Sequence, residues 1–286
     1  MQEQELNASE PTFIAMLEKR WQENTCVCVG LDPVYDRLPA KVRQDVSPED
    51  AFFAFNREII NATHDLVCAY KPNSAFYEAL DDAGTRALMK TVEYIKQTYP
   101  CIPVILDAKR ADIGNTNRGY VESAFDNICA DAITVHPYLG KEALTPFLAR
   151  RDKGIIVLVK TSNAGSNEFQ SLLIGNKQEP LYQVVARNIA QTWNTHGNCA
   201  IVVGATYSSE LKQVRTIVGD MPILVPGIGA QGGDIEATVR AGKDSRGLGM
   251  IINSSRDIIY ASKDENFAQA ARDATQKLRD AINSYR

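Results

Sequence analysis

Residues 104–112 read VILDAKRAD, an apolar run that ends by setting two carboxylates and an ammonium into its last six positions. In an extended strand the side chains alternate faces, so Asp107 and Lys109 share the face of Ile105. Charge on an apolar face is costly unless it is paired or used. On its own, Asp-x-Lys at a strand end reads equally well as a simple salt bridge. The surrounding runs have to decide.

Seven further runs have the same character: CVCVGLD (26–32), LVCAYKP (66–72), AITVHPY (132–138), GIIVLVKTS (154–162), AIVVGAT (200–206), PILVPGI (222–228) and GMIINSS (249–255). They are continuous and rich in Val and Ile, as parallel strands buried on both faces are. Helix-like stretches fall between them, among them AFFAFNREIINATHD, ALMKTVEYIKQTY, EALTPFLARR, LYQVVARNIAQTW and NFAQAARDATQKLRDAI. Eight strand–helix units predict a (β/α)8 TIM barrel forming one domain over residues 1–286. A doubly wound sheet fits less well, because the strand count is high and no early GxGxxG follows the first run. Ahead of the first strand, residues 11–21 set Phe13, Ile14, Leu17 and Trp21 on one helical face, which predicts a helix over the bottom of the barrel. The loop from Asn163 to Gln178, rich in Gly, Ser and Asn, reads as an insertion at the rim of the site.

Composition narrows the function classes. The chain has 286 residues with a formal charge of −4, 44% hydrophobic and 23% charged, which excludes a generally basic nucleic-acid binder. An anionic ligand therefore needs a local cluster of cations and backbone amides. The opening MQEQELNASEP lacks the basic and apolar regions of a secretory signal, and no apolar run reaches the length of a membrane helix. The six cysteines show no metal-ligand spacing, so buried free thiols in a reducing cytoplasm are expected.

In a barrel the chemistry collects at the C-terminal ends of the strands. Those ends carry Asp32, Lys71, Asp107 with Lys109, His136, Thr161 with Ser162, and Thr206. The seventh run leads into PGIGAQGGD (226–234), where four glycines let backbone amides close on a ligand and a helix is expected to begin near Asp234. The eighth leads into Asn253, Ser254, Ser255 and Arg256. Loops after strands seven and eight commonly hold phosphate, so a phosphorylated small molecule is the expected ligand. His136 reads as a packed residue, and His64 and His196 as surface groups. No metal site is expected.

Taken together, VGLDP, YKPN, DAKRADIG, PGIGAQGGD and NSSR resemble the orotidine 5′-phosphate decarboxylase family, in its longer-chain branch, over Val29 to Tyr260. DxKxxD alone is shared with sugar-phosphate relatives; Lys71 and the AQGG loop narrow it. The resemblance implies catalytic roles for Lys71, Asp107, Lys109 and Asp112, with Asp112 reaching across a homodimer interface into the partner's site. It implies that Asp32 meets the ribose and that Thr116 approaches the ribose or phosphate from the partner chain. Ser162, or Thr161 beside it, would meet the pyrimidine edge. Gln231 and Arg256 would bind phosphate, helped by Gly229, Gly232, Asn253 and Ser254. Where many members have Gly, this chain has Ala111.

The implied reaction is decarboxylation of orotidine 5′-phosphate to uridine 5′-phosphate, the last step of UMP biosynthesis, with no cofactor. Its partners would be the nucleotide and a second copy of the chain, not nucleic acid or membrane. A carbanion at ring carbon six must then be stabilised electrostatically and protonated, which an ammonium held between carboxylates can do. Three rivals are weighed. A magnesium-dependent sugar-phosphate lyase would want a carboxylate near the end of the second strand, where this chain has Lys71. A Schiff-base aldolase would want a neutral Lys109, which flanking carboxylates oppose. A barrel that only binds phosphate compounds would leave the charge array without a use.

Overall fold

The computed structural model describes residues 11–228 and 234–286. Its eight parallel strands are β1 (Val27–Gly30), β2 (Ala69–Lys71), β3 (Ile105–Arg110), β4 (Ala132–Val135), β5 (Gly154–Lys160), β6 (Cys199–Val203), β7 (Ile223–Pro226) and β8 (Met250–Ser254). They pair in the order β2-β1-β8-β7-β6-β5-β4-β3. Bridges between Tyr70 and Val104 and between Asn73 and Asp107 then join the two outer strands, so the sheet curls into the expected barrel. Each residue of β1, β4 and β6 is buried, because the interior covers one face and helices the other.

The principal helices are α1 (Phe13–Gln22), α2 (Pro48–Thr63), α3 (Asp81–Thr98), α4 (Gly114–Val121), α5 (Gly140–Leu148), α6 (Leu181–Asn188), α7 (Ser208–Val218), α8 (Ile235–Gly242) and α9 (Phe267–Tyr285). Helix α1 starts at Thr12, whose side chain accepts the Ala15 N–H, and buries Phe13, Met16, Leu17 and Trp21. The Phe13 N–H donates to the Asp152 carbonyl just before β5, and Trp21 Nε1 donates to the Met250 carbonyl at the start of β8. The helix therefore seals the N-terminal end of the barrel, leaving the opposite end for chemistry. At the start of β5 a Cβ on Gly154 would lie 2.2 Å from the Phe13 ring, so only glycine lets this lid sit down.

Two expectations are refined. All six cysteines are free, but only Cys26, Cys28, Cys68 and Cys199 are buried; Cys101 and Cys129 sit in exposed turns. The Asn163–Gln178 insertion is partly ordered, with a 3-10 turn at Ala164–Glu168 and a two-residue antiparallel pairing of Leu173–Ile174 with Glu179–Pro180. Helix α8 begins where expected, with the Asp234 side chain capping the Ala237 N–H. Among the described residues no helix is long and apolar enough to cross a membrane.

Candidate active site

Strand β3 pairs regularly with β4 at Ile105 and Leu106, loses register, and resumes at Arg110. Within that irregular stretch Lys109 adopts φ +47°, a left-handed conformation that costs an L-residue about 1–2 kcal/mol. Asp107 and Lys109 do meet, with Lys109 Nζ 2.6 Å from Asp107 Oδ1. They meet through this left-handed residue, and regular strand alternation is not what brings them together. Thr134 on β4 ties the distortion down. Its hydroxyl accepts the Lys109 N–H at 3.0 Å and donates to Asp107 Oδ1 at 2.9 Å.

The other carboxylate oxygen, Asp107 Oδ2, accepts from Lys71 Nζ at 3.0 Å and faces Asn73 Nδ2 at 3.5 Å. Lys71 and Asp107 are buried, whereas the Lys109 side chain is 48% exposed. Burial alone would raise the Asp107 carboxyl, but the ammoniums of Lys71 and Lys109 outweigh it and hold the group well below the usual carboxylate range. Burial likewise works against the Lys71 ammonium. Asp107, with a further contribution from Asp32, overrides it and holds Lys71 above the ordinary lysine value. Both charges are therefore locked on at neutral pH.

Asp32, Lys71, Asn73 and Asp107 line a cavity of about 290 Å³. Gly227, Asn253, Ser254, Ser255 and Arg256, from the ends of β7 and β8, line it too. The Asn73 N–H donates to Asp32 Oδ1 at 3.1 Å, linking the ends of β1 and β2. Asn253 is buried, and among the described residues its side-chain oxygen has no hydrogen-bond donor. The cavity wall thus combines an alternating ammonium–carboxylate array with hydroxyls and a guanidinium, which suits a polar molecule carrying an anionic group. Among the described residues, no three His, Cys, Asp or Glu side chains gather as metal ligands would.

The expected residues are not all brought together within one chain. Asp32, Lys71, Asp107, Asn253, Ser254 and Arg256 share the cavity, and Lys109 joins through Asp107. Asp112 stands outside it, half-buried at the entry to α4, its carboxylate accepting the Ile113 N–H at 2.7 Å. Thr116 is exposed on α4, and Ser162 stands beyond β5 away from the cavity lining. Gly229, Gln231 and Gly232 lie outside the described residues. Ala111, half-buried, packs against the core in the path from Lys109 to Asp112.

Three residues were missed by the sequence reading: Thr134, Asn73 and Lys160. Asn73 lay within the quoted YKPN, but a neutral side chain beside a charged one carries little signal. Lys160 at the end of β5 is fully buried and its Nζ donates to Asn167 Oδ1 at 2.7 Å, Ser171 Oγ at 2.9 Å and Ser166 Oγ at 3.2 Å. It also sits 4.9 Å from the centre of the Tyr207 ring. Burial pushes this ammonium below its usual value. The next residue, Thr161, exchanges hydrogen bonds with Gln170: its N–H donates to Oε1 at 2.9 Å and its hydroxyl accepts from Nε2 at 2.8 Å. The insertion is thus fastened to the rim by Lys160 and Thr161.

The family model described as "Orotidine 5'-phosphate decarboxylase / HUMPS family" matches residues 25–272. A curated orotidine 5′-phosphate decarboxylase of Janthinobacterium sp. (strain Marseille) is 51% identical over 275 residues, covering 96% of this chain and 99% of the relative. The solved OMP decarboxylase of Leishmania donovani superposes with a TM-score of 0.82 at 36% identity, over 96% of this chain and 98% of that one. The UMP synthase structure of the same organism gives 0.84 at 38% identity; there the match covers 96% of this chain but 56% of the longer protein.

Proposed function

The chain belongs to the orotidine 5′-phosphate decarboxylase family and decarboxylates orotidine 5′-phosphate to uridine 5′-phosphate in pyrimidine biosynthesis, and we propose that the Lys71–Asp107–Lys109 array carries the chemistry without a cofactor. The observation that carries this reading is a buried carboxylate clamped between two ammoniums in the wall of a cavity of about 290 Å³. Lys109, the more exposed ammonium, faces ring carbon six. As the carbon–carbon bond breaks, carbon dioxide departs and the electron pair stays on that carbon. The Lys109 ammonium stabilises the pair and then delivers a proton to it, leaving a neutral amine that regains its proton from water. Asp107 faces the substrate carboxylate, so repulsion between them is relieved as carbon dioxide leaves. Lys71 and Thr134 hold Asp107 in place.

Asp32 binds the ribose hydroxyls. Arg256, Asn253 and Ser254 bind the phosphate, as do Gly229, Gln231 and Gly232, and its binding energy serves the distant reacting bond. Ser162, rather than Thr161, meets the pyrimidine edge. In support, the Thr161 hydroxyl already donates to Asn163 Oδ1 and accepts from Gln170, whereas among the described residues no such bond occupies Ser162.

The functional unit is a homodimer in which Asp112 and Thr116 serve the partner's site. Two observations support this. Among the described residues Asp112 forms no ion pair with Lys109 of its own chain. Around α4 and α5, moreover, Ile113, Tyr138 and Leu139 expose large apolar surfaces, Tyr138 at 86%. Co-expression of Lys109→Ala and Asp112→Asn chains tests the scheme. A mixed dimer would contain one intact site, so random pairing should restore about a quarter of wild-type activity from two inactive variants. No restoration would refute the sharing of Asp112.

A further inference from the structure

The cavity that Arg256 lines has a second guanidinium. Arg37, in the segment that follows β1, lines the same cavity as Ser254, Ser255 and Arg256. Its guanidinium carbon lies 3.9 Å from the centre of the Tyr260 ring, in cation–π contact. That ring is itself fixed. The Phe55 ring stacks on it at 5.9 Å, and Phe267 stacks on Phe55 at 5.2 Å, so an aromatic column runs from the cavity wall into the core. The Tyr260 hydroxyl accepts the Val34 N–H at 2.7 Å, tying the ring to the chain that carries Arg37.

Among the described residues neither Arg37 nor Arg256 forms an ion pair with a carboxylate. Arg86, Arg187, Arg246 and Arg272, by contrast, each pair with Asp or Glu. Arg37 and Arg256 line one small cavity with Asp32, Lys71, Asp107 and Asp257; Lys71 is taken up by Asp107, and a ligand group bearing more than one negative charge would engage both guanidiniums. A phosphate monoester dianion has that charge, and a guanidinium fork matches its oxygens.

We infer that Arg37 is a further binding residue for the substrate phosphate, supplying a second guanidinium opposite Arg256 and held in readiness by the Tyr260 ring. The inference rests on the reading of Arg256 as a phosphate ligand. A purely structural role makes a different prediction. The Tyr260 hydroxyl also approaches the Asp32 carbonyl at 3.5 Å, so an Arg37 that merely braced this segment would affect the ribose contact as well.

Calorimetric titration with UMP and with uridine, on wild-type protein, Arg37→Met and Arg37→Lys, separates the possibilities. Loss of one charge-assisted contact should weaken UMP by about 10- to 100-fold in Arg37→Met while uridine changes less than about twofold. Arg37→Lys should fall between, because an ammonium keeps the charge but loses the fork and the stacking. An Arg37→Met protein that keeps the wild-type preference for UMP, or loses uridine as severely as UMP, overturns the inference alone. Wild-type protein that binds uridine as tightly as UMP overturns the inference together with the phosphate reading of Arg256.

Discussion

Replacing Asp107 by Asn keeps the shape of the side chain and removes the charge that two ammoniums share. The structure says where the cost falls. Lys109 is half-exposed and can turn to water, but Lys71 is 3% exposed and has Asp107 as its ion-pair partner at 3.0 Å. Removing one member of a buried pair costs about 3–5 kcal/mol. Asp32, which also favours the Lys71 ammonium, remains, so a loss of about 3 kcal/mol is expected. The dependence on pH is more diagnostic than the size. In the wild type Lys71 is held above the ordinary lysine value, so its contribution is present below about pH 10.4 and is lost only at higher pH. In Asp107→Asn the desolvated ammonium, without its main partner, falls below the unfolded value; the unfolded state then binds more protons, and stability rises with pH. The gap between the two proteins should therefore narrow as the pH rises toward about 10.4, by at most about 1.4 kcal/mol per unit. Asp107 itself, held below the usual range, contributes a loss only in acid and does not disturb this window. Urea unfolding at fixed protein concentration measures the gap. A loss under about 1 kcal/mol, or a gap that does not change with pH, would refute the assignment of Asp107 as counter-ion to Lys71.

Three further outcomes follow from single contacts. Because Lys109 has φ +47°, Lys109→Gly should be about 1 kcal/mol more stable than Lys109→Ala in the same unfolding experiment, and equal stability would argue against the left-handed residue. A Cβ on Gly204 would lie 2.8 Å from the Ser162 Cβ, so Gly204→Ala should displace Ser162 and raise KM for orotidine 5′-phosphate several-fold; an unchanged KM would count against Ser162 as a substrate contact. Lys160→Met leaves three oxygens of the insertion without their donor and should loosen it by about 1–3 kcal/mol. Amide hydrogen exchange would then quicken across 164–171 and stay slow in the barrel strands, and unchanged exchange would mean that Lys160 does not fasten the insertion.

Much of the fold was legible because a parallel barrel strand is apolar on both faces, so Val- and Ile-rich runs announce it directly. The period of α1 gave its buried face, although Met16 is buried and Ile14 only half-buried. The charged half of the site was legible because Lys71 and Asp107 are anomalies at the ends of apolar runs. Thr134 was not, since threonine is at home in any strand, and nothing local marks Lys109 for a positive φ that glycine or asparagine usually fills. Lys160 was hidden by position: a lysine closing an apolar run reads as the chain leaving the core, and only the fold shows the insertion curling back to bury it. Asp112, Thr116 and Ser162 were named through family resemblance, and the geometry of one chain does not gather them with the rest.

The central claim, that Lys109 performs the decarboxylation without help from a metal, is tested most directly by ultraviolet absorbance. Orotidine 5′-phosphate is mixed with the wild-type protein and with Lys109→Ala, each with and without excess chelator, while UMP binding is measured in parallel. The account predicts that the wild type converts the orotate chromophore to that of uridine at the same rate with chelator present. Lys109→Ala should bind UMP and convert nothing measurable. Turnover that collapses with chelator, or that survives in Lys109→Ala, would contradict it.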